Sequence, residues 1–367
     1  MADAAQARTR GAPSAQAVDP ARVEVIAPNF KRRLSGVTST IVQLVPEQAR
    51  SLGIATLGPG LPASLPSLRW WQLPALYRRP AGRPFRIWHA RRNIEMIAGI
   101  VMRDILRMKL RLVFTSAAQR HHKRFTKWLI RRMDAVVATS QVSGSFLDVP
   151  HTIVMHGIDI ARFHPPRDPE DEFAAAGLPG RYAVGCFGRI RHQKGTDLFV
   201  DAMIELLPDH PDWTAIITGR TTGQHAAFAA EQKDKIRRAG LEDRILFLGE
   251  VPDIRIWYRR VSLCVAPSRN EGFGLTPLEA MASGAAVVAS DAGAYRELIA
   301  EGLTGTVVPA GDGDALRNAI RPYLADPEAT AEKGRAGIVH VAENFPLQRE
   351  AEGLAAVYDR LWSGASR

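Results

Sequence analysis

The sequence predicts an α/β protein of two doubly wound, Rossmann-like domains facing a cleft, and three observations predict it. Short apolar runs recur along the 367 residues, and stretches with helical spacing lie between most of them, the pattern of parallel sheets covered on both faces. The runs fall into two series of about six strands each. A Pro-rich, charged stretch, HPPRDPEDEF, separates the two series as a linker would.

The first series comprises residues 22–27, 53–57, 85–89, 112–115, 135–139 and 152–155. Residues 95–108 predict a helix, with Met96, Ile97, Ile100, Val101, Ile105 and Met108 on one face. The second series comprises residues 182–187, 213–218, 245–248, 261–266, 286–289 and 306–308. Residues 346–362 predict a last helix with Leu347, Leu354, Val357, Tyr358, Leu361 and Trp362 on one stripe, which needs a surface to cover. Residues 1–20, rich in Ala, Gln, Pro and Ser, predict a disordered tail and not a signal peptide. The expected organisation is a tail (1–20), an N-terminal domain (21–165), a second domain (166–345) and a C-terminal helix crossing back (346–367).

Composition narrows the class. With 46% apolar and 23% charged residues the chain reads as a soluble globular protein, and no apolar run is long enough to span a bilayer. Cys186 and Cys264 both lie in strand-like apolar runs, which fits a reduced, cytosolic setting. The net charge of +10 conceals an asymmetry. Residues 1–165 carry twenty-five Lys and Arg against nine Asp and Glu, whereas residues 166–367 carry twenty-three against twenty-nine. The basic half should seek an anionic partner: nucleic acid, an anionic lipid surface or an acidic substrate.

Open parallel sheets bind ligands beyond the carboxyl ends of their strands, so the chemistry should lie in the loops that follow strands. In RNEGFGLTPLEAMASGAAVVA (269–289), Gly272 and Gly274 permit close approach of a ligand to the backbone. Thr276, Pro277 and Glu279 predict a capping box with Pro at its first position, leaving the amides around Gly274, Leu275 and Thr276 as an anion site. Glu271 and Glu279 flank that site and would accept hydrogen bonds from sugar hydroxyls; the plainer alternative is that Glu279 only caps and Glu271 is solvated. In CFGRIRHQKGT (186–196), Arg189, Arg191 and Lys194 sit on a strand exit loop with Gly188 and Gly195. Cations there would neutralise a diphosphate leaving group, or else form a solvated basic loop. The spacing excludes a Walker A loop.

Together these segments resemble the retaining glycosyltransferases of the GT-B fold, in the large family that includes sucrose synthase and bacterial mannosyltransferases. The resemblance in the second domain spans about residues 181–313. It rests on the Glu-x7-Glu pair Glu271 and Glu279, the GR-x4-KG loop from Gly188 to Gly195, the ITGR turn at Gly219, the LGEVPD loop, and DAGAYRELI-x3-LTGTVVPAGD. The upstream stretch VMHGIDIARFHP matches as well, with His156 where the family usually has Asn. The resemblance implies that Arg189 and Lys194 hold the donor diphosphate, that Glu271 contacts the transferred sugar, and that Glu279 binds the ribose. It further implies that the amides from Gly272 through Phe273, Gly274 and Leu275 to Thr276 hold sugar and phosphate, and that Glu250 and Val251 lie by the base. Gly36 matches a family glycine near the donor phosphates.

In the first domain, KRRLSGVTST (31–40), WHARRNIEM (88–96), FTSAAQRHHKR (114–124) and ATSQVSG (138–144) resemble lipopolysaccharide core mannosyltransferases of alpha-proteobacteria, which add mannose to the inner-core Kdo of lipid A. That resemblance implies GDP-mannose as donor, Kdo-lipid A as acceptor, and a peripheral place on the cytoplasmic face of the inner membrane. Arg91, Arg92, Arg120, Lys123 and Arg124, in a dense run of Lys and Arg between 91 and 132, are the acceptor-binding candidates. Trp70, Trp71 and Tyr77 suit either a lipid headgroup layer or an ordinary packed surface loop. The family often has a His after the strand that here ends in FTS, where this chain has Ser116 and Ala117. His89 is the expected substitute, the alternative being a strand-end residue bonded to the backbone.

GPGLPA (58–63) imitates a dinucleotide loop, but its prolines oppose a helix start. Asp312-Gly-Asp314 imitates a metal-binding pair and is expected to cap a helix instead. No cofactor beyond the nucleotide sugar, no catalytic metal and no nucleic-acid partner are expected. Three rival readings stand: a UDP-sugar transferase acting on another glycan, a non-hydrolysing nucleotide-sugar epimerase, and a nucleic-acid-binding protein without a recognised signature.

Overall fold

The structure is a computed structural model that describes residues 18–32 and 36–364. Its first sheet has seven strands: β1 (Val25–Pro28), β2 (Ile54–Leu57), β3 (Ser67–Leu68), β4 (Arg86–Ala90), β5 (Leu110–Ser116), β6 (Ala135–Ala138) and β7 (Thr152–Ile153), in the order β3-β2-β1-β4-β5-β6-β7. The second has six: β8 (Tyr182–Phe187), β9 (Trp213–Thr218), β10 (Ile245–Gly249), β11 (Leu263–Ala266), β12 (Ala286–Ser290) and β13 (Gly305–Val308), in the order β10-β9-β8-β11-β12-β13. Ladders in both are parallel. Each order reverses direction once, beside β1 in the first sheet and beside β8 in the second, which creates the crevices where such sheets take ligands.

The helices of the N-terminal part are α1 (Gly36–Gln48), α2 (Asn93–Ile100), α3 (Arg124–Ile130) and α4 (Gln141–Ser145). The rest are α5 (Thr196–Leu206), α6 (Ala226–Arg238), α7 (Ile254–Arg260), α8 (Thr276–Ala282), α9 (Tyr295–Leu298), α10 (Gly313–Ala325), α11 (Pro327–Asn344) and α12 (Leu347–Ser363). The described residues form two compact units, one within residues 18–115, 123–136 and 353–364, the other of residues 116–122 and 137–352. Residues 137–165, expected with the N-terminal domain, thus group with the second unit, and α12 contributes to both.

The second sheet shows why near-continuous apolar strands suit this architecture. Ala183, Phe187, Cys264, Ala266, Val287 and Ala289 face one core with α8 and α9, while Val184, Cys186, Leu263, Val265, Ala286 and Val288 face another with α5 and α10. The two cysteines therefore point to opposite faces, both free and buried. Burial pushes the Cys186 thiol up to about 12, so it stays protonated.

In the first unit, Arg86 on β4 is buried and pairs with no carboxylate among the described residues. Its guanidinium donates to the carbonyls of Pro20 (2.7 Å), Val23 (2.9 Å), Leu76 (3.3 Å) and Arg78. It pins the turn at Pro20–Arg22 and the 3-10 segment Trp70–Tyr77 to the start of β4, in the middle of the sheet.

Four expectations change. Residues 1–17 of the expected tail lie outside the described residues, but 18–20 are held in place, with Val18 carbonyl accepting from Gln72 and Asp19 capping the turn. β3 is an added strand, too short to register as an apolar run. The helix expected over 95–108 is α2 followed by a π-helical turn, Val101–Ile105, and its stripe splits. Met96, Ile100 and Met108 are buried, whereas Ile97, Val101 and Ile105 face solvent. Finally, Leu275 and not Thr276 is the N-cap of α8, with no side-chain cap bond, so the expected capping box does not form. Among the described residues no helix is long and apolar enough to cross a membrane.

Candidate active site

The carboxyl ends of β8, β9, β10 and β11 bring the second unit's candidate residues together. β8 runs into Gly188, Arg189 and the short turn His192–Lys194. β9 leads to Gly219, whose backbone lies so close to this loop that a Cβ there would stand 1.7 Å from the Gly188 carbonyl oxygen. With φ at +143°, only glycine fits. Gly219 N in turn donates to the Gly249 carbonyl (2.8 Å), which brings the exposed Glu250 and half-buried Val251 after β10 to the same end of the sheet.

β11 leads to Arg269, Asn270 and Glu271. The Glu271 carboxylate receives the Lys194 ammonium and also accepts from the Gly272 amide at 3.2 Å. Both side chains are mostly buried. A brace holds the two loops that meet here. Arg269 forks onto Asp197 with two bonds of 2.7 Å and donates to the His192 carbonyl, and its amide donates to the Gln193 carbonyl. Burial works against the Asp197 charge, but the hydrogen bonds and charge of Arg269 prevail and hold its carboxyl below the usual range. The sequence reading passed over this pair because residues 72 positions apart carry no local pattern.

Gly274 sits where a side chain cannot. With φ at +86°, its Cβ would lie 2.3 Å from the Tyr295 ring and 2.8 Å from Glu271 Cγ. Glu279, on the first turn of α8, accepts from the Tyr258 hydroxyl at 2.7 Å. By surface area Glu279 is only half-buried, yet protein atoms crowd its carboxylate. Burial therefore raises its pKa, partly offset by the Tyr258 hydrogen bond and the Lys194 charge. Tyr258 itself is buried and raised well above the phenol range, so it serves as a donor. Phe273 is buried, and the ring of His156 meets it edge-on, with centroids 4.9 Å apart. His156 Nδ1 pairs with Glu350 (2.7 Å), whose other oxygen accepts from the Gly157 amide (2.9 Å). Where the resembled family has Asn, this chain thus supports the Gly272–Gly274 loop from below with an imidazole.

The candidates of the N-terminal part are placed differently. Gly36 is the exposed first residue of α1; residues 33–35 of its segment lie outside the described residues. His89 is buried at the end of β4, its Nδ1 on the Tyr358 hydroxyl (2.6 Å) and its Nε2 on the Thr115 hydroxyl (2.6 Å). No ring nitrogen is left for a substrate in this arrangement. Burial, and then the Arg91 charge, hold its pKa well below the usual value. Arg92 is committed to Glu95 (2.8 Å), Asn29 (2.8 Å) and Thr38 (3.1 Å), while the Arg91 amide donates to Glu95. Arg120, Lys123 and Arg124 are exposed, with Lys123 the N-cap of α3. Ser116 is buried against His122 (3.2 Å). Asp312 caps α10 through the Ala315 amide.

A family model described as "Glycosyl transferases group 1" matches residues 181–326. The chain is 66% identical over 340 residues to the lipopolysaccharide core biosynthesis mannosyltransferase LpcC of Rhizobium leguminosarum bv. viciae, covering 92% of this chain and 97% of that one. It is 57% identical over 349 residues to the lipopolysaccharide core biosynthesis mannosyltransferase LpsB of Rhizobium meliloti, covering 94% and 99%. Among solved structures, Anabaena Alr3699/HepE in complex with UDP and glucose superposes with a TM-score of 0.78 over 92% of this chain and 99% of that one. At 20% identity that likeness bears on the fold alone.

Proposed function

The chain belongs to the group 1 glycosyl transferases, and from that premise we propose that it moves mannose from GDP-mannose, with retention of configuration, to the inner-core Kdo of lipid A. The observation that carries the reading is Lys194 held against Glu271 at the carboxyl ends of β8 and β11. A cation and a carboxylate stand there where a sugar joined to a diphosphate needs one of each. Near-full-length identity to two proteins named as lipopolysaccharide core mannosyltransferases supports the choice of sugar and pathway. The basic first 165 residues suit an acceptor carrying a carboxylate and phosphates.

In this reaction the bond from the anomeric carbon to the diphosphate breaks and a bond to the acceptor oxygen forms on the same face. The acceptor hydroxyl gives its proton to the departing phosphate. Arg189, Lys194 and the leading amides of α8 offset the charge that grows on that phosphate. Glu271 orients the sugar hydroxyls. Glu279, held by Tyr258, takes the ribose. The protein works at the cytoplasmic face of the inner membrane as a peripheral enzyme, without a metal.

The test is transfer by the purified protein, offered labelled GDP- and UDP-sugars with Kdo-containing lipid A in detergent. Transfer from GDP-mannose alone is expected. Transfer from a UDP-sugar overturns the donor. Tight GDP-mannose binding without transfer overturns the acceptor, and product formed with no acceptor present points to an epimerase.

A further inference from the structure

The outer face of α2, its π-helical turn and α3 is apolar where a helix on a sheet is normally polar. Ile97 is 39% exposed, Val101 38% and Ile105 70%, continuing a stripe that begins at Ile94. α3 lies beside α2, joined by Asn93 Nδ2 donating to Thr126 Oγ1 (2.8 Å). It presents Phe125 (56% exposed) and Trp128 (48%), whose rings stack with centroids 6.0 Å apart. The π turn, Val101–Ile105, is followed by Arg107 with φ at +54°, the only non-glycine with positive φ among the described residues. A wide helical turn and a strained arginine at one exposed end mark a segment shaped for something other than its own stability.

The charge around this face selects its occupant. Residues 91–132 hold twelve Lys and Arg against two acidic residues. Both acids are already matched: Glu95 is buried on Arg92, and Asp104 is paired with Arg103 and Arg132. Arg132 also lies over the Trp128 ring at 5.7 Å. A second copy of this chain would set cationic faces against each other. A nucleic acid would satisfy the arginines and leave the isoleucines and aromatic rings in water. An anionic bilayer satisfies both, because apolar side chains enter the boundary of the acyl layer while basic ones stay among the phosphates.

We propose that the outer face of α2, the π turn and α3 docks this protein on an anionic lipid bilayer. The inference deepens the peripheral-membrane part of the proposed function and rests on it for the membrane setting. It moves the point of insertion from Trp70, Trp71 and Tyr77 to Ile105, Phe125 and Trp128.

The experiment is co-sedimentation of the full chain with vesicles of phosphatidylcholine, with and without phosphatidylglycerol, and with neither nucleotide sugar nor acceptor present. The wild type should sediment with the anionic vesicles only. The triple variant I105Q/F125Q/W128Q changes exposed side chains and should keep the circular dichroism of the wild type while its partition falls roughly a hundredfold. R107Q/R131Q should weaken partition about thirtyfold, at ~1 kcal/mol for each basic residue near the surface. W70Q/W71Q should partition like the wild type. The proposal is overturned if the wild type ignores anionic vesicles, if the triple variant binds as well as the wild type, or if W70Q/W71Q is the variant that fails. Transfer from GDP-mannose to a water-soluble Kdo oligosaccharide, measured on the same proteins, separates this inference from the reaction. Its failure in the wild type sinks the mannosyl reading and leaves the vesicle result standing. Full turnover by a triple variant that no longer sediments supports the docking face.

Discussion

Replacing His89 by Gln should remove a pH dependence of stability that the wild type carries below about pH 6.5. The ring is buried, with Tyr358 on one nitrogen and Thr115 on the other. Its pKa in the folded protein lies well below the ordinary 6.5, through burial first and the Arg91 charge second. The unfolded chain therefore takes up a proton that the folded chain refuses. The stability owed to a neutral His89 is present above that ordinary value and is lost as the pH falls. A ring that stays neutral when folded loses RT ln(1 + 10^(6.5 − pH)), which is about 0.1 kcal/mol near pH 7.5 and about 1.4 kcal/mol near pH 5.5. Gln also forfeits part of two buried hydrogen bonds, about 1–3 kcal/mol at any pH. The gap between wild type and His89→Gln should thus be widest near neutrality and narrow by about 1.3 kcal/mol at about pH 5.5. Hydrogen exchange of amides in β4 and α12, read for both proteins at the same pH, cancels intrinsic exchange and all other titrations. A gap that stays constant or widens on acidification would mean that the ring protonates in place, and the reading of His89 as a buried neutral ring would fall.

Other outcomes follow from the second unit and from the start of β4. Lys194→Ala and Arg189→Ala should each lower kcat by about 10²–10³-fold in donor-saturated assays, and near-normal turnover in both would sink the phosphate clamp. Glu279 has its pKa raised by burial, so the stability it contributes is present below the ordinary carboxylate range and lost as pH rises through the raised value. Glu279→Gln should accordingly gain in melting temperature over the wild type from acidic to neutral pH while calorimetry shows weaker nucleotide-sugar binding. Arg86→Met strands four carbonyls, of which those of Val23 and Leu76 are fully buried, and should cost about 3–5 kcal/mol in urea denaturation; a loss under about 1 kcal/mol would mean that water reaches them.

The strands were legible because burial on both faces leaves an unbroken apolar run, as at Trp213–Thr218, where expected and observed bounds agree. So was the meeting of the Gly188 and Glu271 loops, since both follow strands at a predictable end of one sheet. What sequence missed is long-range or phase-dependent. The apolar stripe over 95–108 is wider than the buried face, so it merges an inward row, Met96 and Ile100, with an outward one, Ile97, Val101 and Ile105, which periodicity alone does not separate. The Arg269–Asp197 brace and the Tyr258–Glu279 bond join segments far apart in sequence. His89 looked like a residue presented at a strand end, and only the position of Tyr358, 269 residues later, shows that it faces inward. The capping box failed because Leu275 opens α8 one residue before the side chain suited to close it.

Helix α12 has a consequence for how the chain is made. Its start belongs to the second unit, where Glu350 holds His156 and the Gly157 amide, while Tyr358 and Trp362 complete the first unit on His89 and the Phe85 carbonyl. The first unit is therefore interrupted in sequence by nearly all of the second. On the ribosome its sheet emerges early but waits, with His89 held by Thr115 and not yet by Tyr358, until residues beyond 353 have left the exit tunnel. The second unit has no such wait after residue 352, so the order of folding should reverse the order of synthesis. Protease treatment of released chains truncated after Glu352 should find β8–β13 already protected and β1–β4 still open to cleavage.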